Sequence, residues 1–163
     1  MPNDVHEQLT KYLTDAHSIE EQALAQLRTA PDLAGDPEIA AAFRTHLAEN
    51  EGHERHIRTA LEARGAKPSA VKDTVMKVGG KGFLLFARLQ PDTPGKLAAF
   101  AYAFEHLEIG GYEQLKRVAE RAGDQETVQT AQRILGEERE AARKIAAAFD
   151  RAATASLEAV GVA

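Results

Sequence analysis

At 163 residues, 44% of them apolar and 28% charged, the chain is long enough to bury a core of its own and too apolar for a wholly disordered chain. A net charge of −5 argues against nucleic acid as a partner, since phosphate binding needs a concentrated positive face. Zero cysteines remove disulfides, thiolate metal sites and thiol catalysis.

The first helix is predicted from Asp4, with Glu7 completing a capping box, to about Thr29 ahead of PDLAGD. Asp36 and Pro37 open a second helix, 36–64, which stops at Gly65. A crossover of about 30 residues, 66–93, follows and contains SAVKDTVMKVGGKGFLLFARLQ. From Ala66 to Lys96 it carries six basic residues against two acidic ones, an island of positive charge in an acidic chain. Its GGKGFLLFARL lacks the spacing of a phosphate loop and the Ser or Thr after Lys, and reads as a turn leading into a short apolar helix laid on the rest. A third long helix is predicted over 94–122 and a fourth, capped by Asp124, over 124–155.

Four long helices with one apolar stripe each form a bundle, so the expected class is all-α, one domain over 1–163. Short loops make two antiparallel hairpins of it. The long crossover sets helices two and three parallel, which is the ferritin-like topology. No stretch is apolar enough to span a membrane, and the start MPNDVHEQL lacks the pattern of a secretory signal, so a cytoplasmic protein without membrane attachment is expected.

Placing side chains at about 100° per residue shows where the stripes are interrupted. Glu20 sits at the centre of the line Leu9, Leu13, Ala23 and Leu27. Glu108, with Glu105 one turn earlier, interrupts Leu97, Phe104, Tyr112 and Leu115, and Glu138 interrupts Ile134, Leu135, Ala142 and Ile145. On the second helix the stripe Ile39, Phe43, Ile57 and Leu61 is broken by His46, Asn50 and His53, with Glu49 on its flank. Counted from the loops, all four interruptions fall near mid-length, within about a turn of one another.

Burying one unpaired carboxylate costs several kcal/mol, and neighbouring carboxylates raise each other's pKa. No Lys or Arg points inward at that depth. A pair of cations would compensate, and carboxylate with imidazole is a ligand set for iron, manganese or zinc. Glu20, Glu49, His53, Glu105, Glu108 and Glu138 are therefore the candidate metal ligands, with His46 at the border and His56 and His106 in solvent. Tyr112, about a turn from Glu108, is the candidate catalytic residue, able to hydrogen-bond a ligand or give up an electron.

The stretches DAHSIEEQAL, HLAENEGH, EHLEI followed by Tyr112, and ILGEE run in that order between about Val5 and Ile145. They resemble the bacterial YciE/YciF family of small stress-associated proteins, within the ferritin-like di-metal carboxylate superfamily. The resemblance implies a cytoplasmic, dimeric four-helix protein with a di-iron or di-manganese site. It is not complete. The superfamily's Glu-x-x-His on the second helix appears as Glu49-x-x-x-His53, with Asn50 in the glutamate place, and Ala141 stands where the fourth helix would carry a histidine. His17, one turn before Glu20, is a candidate replacement, and a site short of nitrogen is expected to be asymmetric or to hold one metal tightly.

Gly52, Gly110, Gly111 and Gly136 lie mid-helix beside the polar cluster, at roughly 1 kcal/mol each relative to alanine, which suggests room for ligands, a local helix bulge or a small access channel, or else close helix packing. Two functions fit the pattern. One is a di-metal oxidoreductase taking dioxygen or peroxide as its substrate. The other is a metal-free helical adaptor or homodimer that keeps the fold and binds partners through FLLFARL and the basic crossover.

Overall fold

The computed structural model describes residues 4–69, 82 and 90–162. Asp4, extended at φ −63° and ψ 139°, accepts from the His6 amide at 3.2 Å and starts α1, Val5–Leu27. This helix stops two residues before the expected Thr29, and a single turn, α2 (Ala30–Leu33), follows it. Asp36 accepts from the Glu38 and Ile39 amides at 2.9 and 3.0 Å, and Pro37 begins α3, Pro37–Ala63. Helix α4 runs Thr93–Ala122 and α5 runs Gln125–Ala147. The short helix expected over GGKGFLLFARL lies, apart from Gly82, outside the described residues.

The two ends of the bundle are pinned by different contacts, and these fix the direction of each helix. Gly35 at φ +67° holds the turn before α3, where a Cβ would stand 2.6 Å from Pro94 Cγ, so the starts of α3 and α4 share one end. Arg64, after α3, pairs with Asp124, before α5, at the other end. Helices α3 and α4 are therefore parallel and joined by the crossover, as the ferritin-like topology requires. In cross-section α1 packs on α3 and α4, α4 and α5 make the most extensive pairing, and α3 and α5 the thinnest of the four side-by-side pairings of long helices. No helix among the described residues is long and apolar enough to cross a membrane.

The fourth predicted helix is two. The Ala148 amide bonds to both Lys144 and Ile145 carbonyls, closing α5, and α6 (Phe149–Ala159) follows. A tertiary contact holds it. Ser156 Oγ accepts from the Gly95 amide at 2.6 Å and donates to the Asp92 carbonyl at 3.0 Å, and a Cβ on residue 95 would lie 2.9 Å from that oxygen. Phe149, expected in the core stripe, consequently stands 39% exposed with its ring against Tyr102.

Two apolar layers result. One gathers Leu27, Ile39, Phe43, Leu97 and Phe104 near the α3 start, and the other gathers Leu9, Leu13, Ile57, Leu61, Leu115 and Ile134 near the α5 start. The polar interruptions lie between them.

Asp124 caps α5 by accepting from the Thr127 amide at 3.0 Å and hydroxyl at 2.8 Å, besides pairing with Arg64. Burial is the largest influence on its carboxyl and pushes it up, but the Thr127 bonds and Arg64 together hold its pKa below the ordinary 3.8. A depressed folded pKa contributes stability above the unfolded value that is lost as pH falls through the folded one. Asp124→Ala should therefore cost about 1–2 kcal/mol in urea unfolding at neutral pH. The gap from the parent protein should close as pH drops below 3.8.

Candidate metal centre

Three-residue and four-residue steps along each helix place the polar side chains on one inward line. Glu20 comes from α1, His46, Asn50 and His53 from α3, Glu105 and Glu108 from α4, and Glu138 from α5, none more than 6% exposed. They converge as two groups. His46, Glu105, Glu108 and Glu138 offer ligand atoms all within 4.8 Å of one another, and Glu20, His53 and Glu138 do the same.

Glu138 belongs to both groups. Its Oε1 is 2.8 Å from His53 Nδ1 and its Oε2 is 3.5 Å from His46 Nε2. His46 Nε2 is also 3.1 Å from Glu105 Oε1, and His53 Nδ1 is 3.7 Å from Glu20 Oε1. The Tyr112 hydroxyl donates to Glu20 Oε1, and the Asn50 amide donates to Glu20 Oε2 at 3.1 Å and to Glu138 Oε1 at 3.4 Å.

Each imidazole is held from behind by a second carboxylate. Glu49 meets His46 Nδ1 at 3.0 Å, and Glu137 meets His53 Nε2, so the opposite ring nitrogens face the two groups. A carboxylate behind a ligating imidazole fixes its tautomer and orientation and raises its basicity.

The protein atoms alone leave this cluster unbalanced. Among the described residues, both oxygens of Glu108, Glu105 Oε2 and Glu138 Oε2 are buried without a hydrogen-bond partner, and His46 Nε2 meets Glu105 and Glu138 as an ion pair. Burial, then the charges of Glu138, Glu20 and Glu105, push the Glu108 carboxyl well above its ordinary range. Burial pushes Glu20 up to about 7, with Glu138 adding to it against His53, Tyr112 and Asn50. Glu138 also rises to about 7, again chiefly through burial. Burial works against the imidazolium of His46, but Glu105 and Glu49 outweigh it and carry the ring up to about 10. His53 rises to about 9 in the same way through Glu138 and Glu20. Orphaned, buried oxygens aimed at a shared point are what a divalent cation satisfies, so the first group fits one, while the second offers donors already paired, Glu20 with Tyr112 and Asn50 and Glu138 with His53.

The candidate residues are distributed unevenly around these points. Glu20, His53, Glu105, Glu108 and Glu138 fall within the two groups, whereas Glu49 lies outside both, its side chain 34% exposed and turned to His46. His46, read from the sequence as a neighbour of the site, stands inside the first group and supplies an imidazole where Ala141 does not. Tyr112 reaches Glu20 and not the groups' open atoms. His17 faces away, bonded to Glu54 Oε1 at 3.0 Å between α1 and α3. With Glu21 these two make a third set of donors that the stripe analysis missed, because Glu54 lies off the apolar line. His56 and His106 are exposed, each ring bonded to its own helix's backbone four residues back.

The mid-helix glycines are not points of close helix packing. A Cβ at Gly110 or Gly136 would meet nothing within 4 Å, at Gly52 only Arg55 at 3.9 Å, and at Gly111 only Ile19 at 3.5 Å. Gly136→Ala, on the exposed side of α5, should therefore stabilise the protein by about 0.5–1 kcal/mol in denaturant unfolding and leave metal content unchanged.

Known proteins bear on this arrangement. Residues 4–158 match the family described as "Domain of unknown function (DUF892)". A solved structure from Xanthomonas campestris pv. campestris is similar with a TM-score of 0.80 and 26% identity, over 96% of this chain and 97% of that one. The E. coli stress protein YciF is similar with a TM-score of 0.78 and 22% identity, over 94% and 99% of the two chains. YcfI from Rhodopseudomonas palustris is similar with a TM-score of 0.77 and 24% identity, over 88% and 93%.

Proposed function

The chain belongs to the DUF892 family, and from that footing we propose that it is a di-metal carboxylate protein of the cytoplasm that acts on dioxygen or peroxide. Two iron or manganese ions would be held, one by His46, Glu105, Glu108 and Glu138 and the other by Glu20, His53 and Glu138. The observation that carries the reading is Glu138, which directs one oxygen to each histidine and so joins the two groups. Donors dominated by carboxylate oxygen suit iron and manganese better than zinc, whose closed sites favour nitrogen and sulfur. The likeness to YciF, a stress protein, supports placing the activity in a stress response.

A bound pair of such ions supplies Lewis acidity and, with iron or manganese, electron transfer toward an oxidant. The chain's own residues prepare the place for it. Glu49 and Glu137 fix the rings of His46 and His53, while Asn50 and Tyr112 hold Glu20 from two sides. Tyr112 keeps its proton, since burial and then Glu20 push its pKa well above 10.0, and it donates that proton's hydrogen bond to Glu20. The apolar layers cover the cluster at either end.

A second reading, a metal-free helical bundle, draws support from the His–Glu pairs, which neutralise part of the cluster by themselves. Metal loading separates the two. After exposure to iron or manganese and removal of excess, elemental analysis should find close to two ions per chain, together with a raised melting temperature. No bound metal and an unchanged melting temperature would reject the di-metal protein in favour of the bundle alone.

A further inference from the structure

The thinnest side-by-side pairing of long helices, between α3 and α5, leaves a groove of about 450 Å³, inside the range of small-molecule sites. Its walls are largely apolar, with Ile39, Ala42, Phe43, Ala141, Ile145 and Ala148 among them. It opens to solvent past Ala42, Thr45 and Ala147, which are exposed, and its buried side is formed by His46, with half-buried Glu49 beside it. The groove thus reaches a member of the first ligand group and the carboxylate that orients it.

The charges around the groove already answer one another. Glu38 pairs with Arg151 at 3.0 Å. Glu49 pairs with His46 at 3.0 Å, and the charge of Lys144 also reaches its carboxylate. An ionised ligand would have to break into these pairs, and a hydrated ion gains little from alanine and isoleucine walls. The shape also disfavours a macromolecular partner. The large exposed apolar side chains of the described residues, Leu107, Phe149, Leu157, Val160 and Val162, all lie outside the lining, which leaves alanines as the only exposed apolar residues at the described rim.

We propose that this groove binds a neutral, predominantly apolar small molecule carrying one hydroxyl, an alcohol or phenol, with the hydroxyl donating to Glu49 beside His46. The proposal rests on the di-metal reading only for what the bound molecule meets at the groove's buried side. The binding itself depends on the groove.

The test is a titration of the full chain with 1-aminoanthracene, a neutral fluorescent probe, followed by competition with decanol and with decanoate. One saturable site per chain is expected, with decanol displacing the probe at least tenfold more strongly than decanoate, a gap of about 1.4 kcal/mol. Ala42→Trp, at the exposed mouth, should weaken probe binding at least tenfold, while Gln114→Trp, on an exposed face of α4, should not. Loading with paramagnetic manganese should quench the bound probe. Equal displacement by decanoate overturns the neutral class, and unaltered binding by Ala42→Trp overturns the location. A dimer in sedimentation that Ala42→Trp splits would assign the groove to a second copy of the chain. Manganese uptake without quenching overturns the placement beside the metals. Probe binding without manganese uptake upholds the groove and rejects the di-metal protein.

Discussion

Replacing Glu138 by alanine should take the protein from two bound metal ions to none, the largest change any single substitution at this site is expected to make. The two ligand groups have only this residue in common, and its two oxygens lie 2.8 Å from His53 Nδ1 and 3.5 Å from His46 Nε2. Removing a donor that belongs to one group alone should behave differently. Glu20→Ala should release the ion held with His53, and Glu105→Ala the ion held with His46. Elemental analysis of the loaded proteins checks each expectation. Thermal unfolding supplies a second readout, because a ligand at a hundred times its Kd stabilises the folded state by about 2.7 kcal/mol. The Glu138→Ala protein should show no such gain. Retention of both ions in that variant would mean that Glu138 does not join the groups.

The second large effect is a reversal of sign at Glu108. Both of its oxygens are buried without a hydrogen-bond partner among the described residues, in a side chain 1% exposed. A carboxyl in that position weakens the protein unless a cation meets it, and apolar replacements of buried ionic groups have been neutral or stabilising by about 1–4 kcal/mol. Glu108→Leu should therefore be at least as stable as the parent in urea with chelator present, and up to about 4 kcal/mol more stable. With saturating manganese the order should invert, since the parent gains a bound ion that the variant cannot hold. Destabilisation of Glu108→Leu by several kcal/mol in chelator would show that the carboxylate supports the fold directly.

These residues also show which parts of the molecule can be read from one chain. Glu20, Glu108 and Glu138 each sit at the centre of an apolar line, where the helical period alone determines the direction of the side chain. Asp4, Asp36 and Asp124 were legible as helix starts because capping is a local contact between a side chain and amides two or three residues on. Glu49 and His46 were not separable in that way. They lie three residues apart on one side of α3, and which of them enters the first group depends on how that helix is turned toward α4 and α5. The pairing of His17 with Glu54 spans 37 residues and two helices, and neither residue's own neighbours predict it. The break at Ala148 was not legible either, since nothing in KIAAAFDRAATASL stops a helix, and the Ser156 contact with Gly95 joins residues 61 apart.

The division of the interior into two apolar layers has a consequence for how the protein comes apart. Each layer is a block of side chains that can stay packed while the other loosens, and among the described residues the cluster of carboxylates and imidazoles lies between them. Local and global opening of a protein become one event only when its blocks are energetically coupled. Occupation of the cluster would supply that coupling. In amide hydrogen exchange, the backbone around Leu13, Leu61 and Ile134 and that around Leu27, Phe43 and Leu97 should then exchange together in the metal-loaded protein. In chelator the two sets should exchange at separate rates, with a shallower denaturant dependence for whichever half opens first.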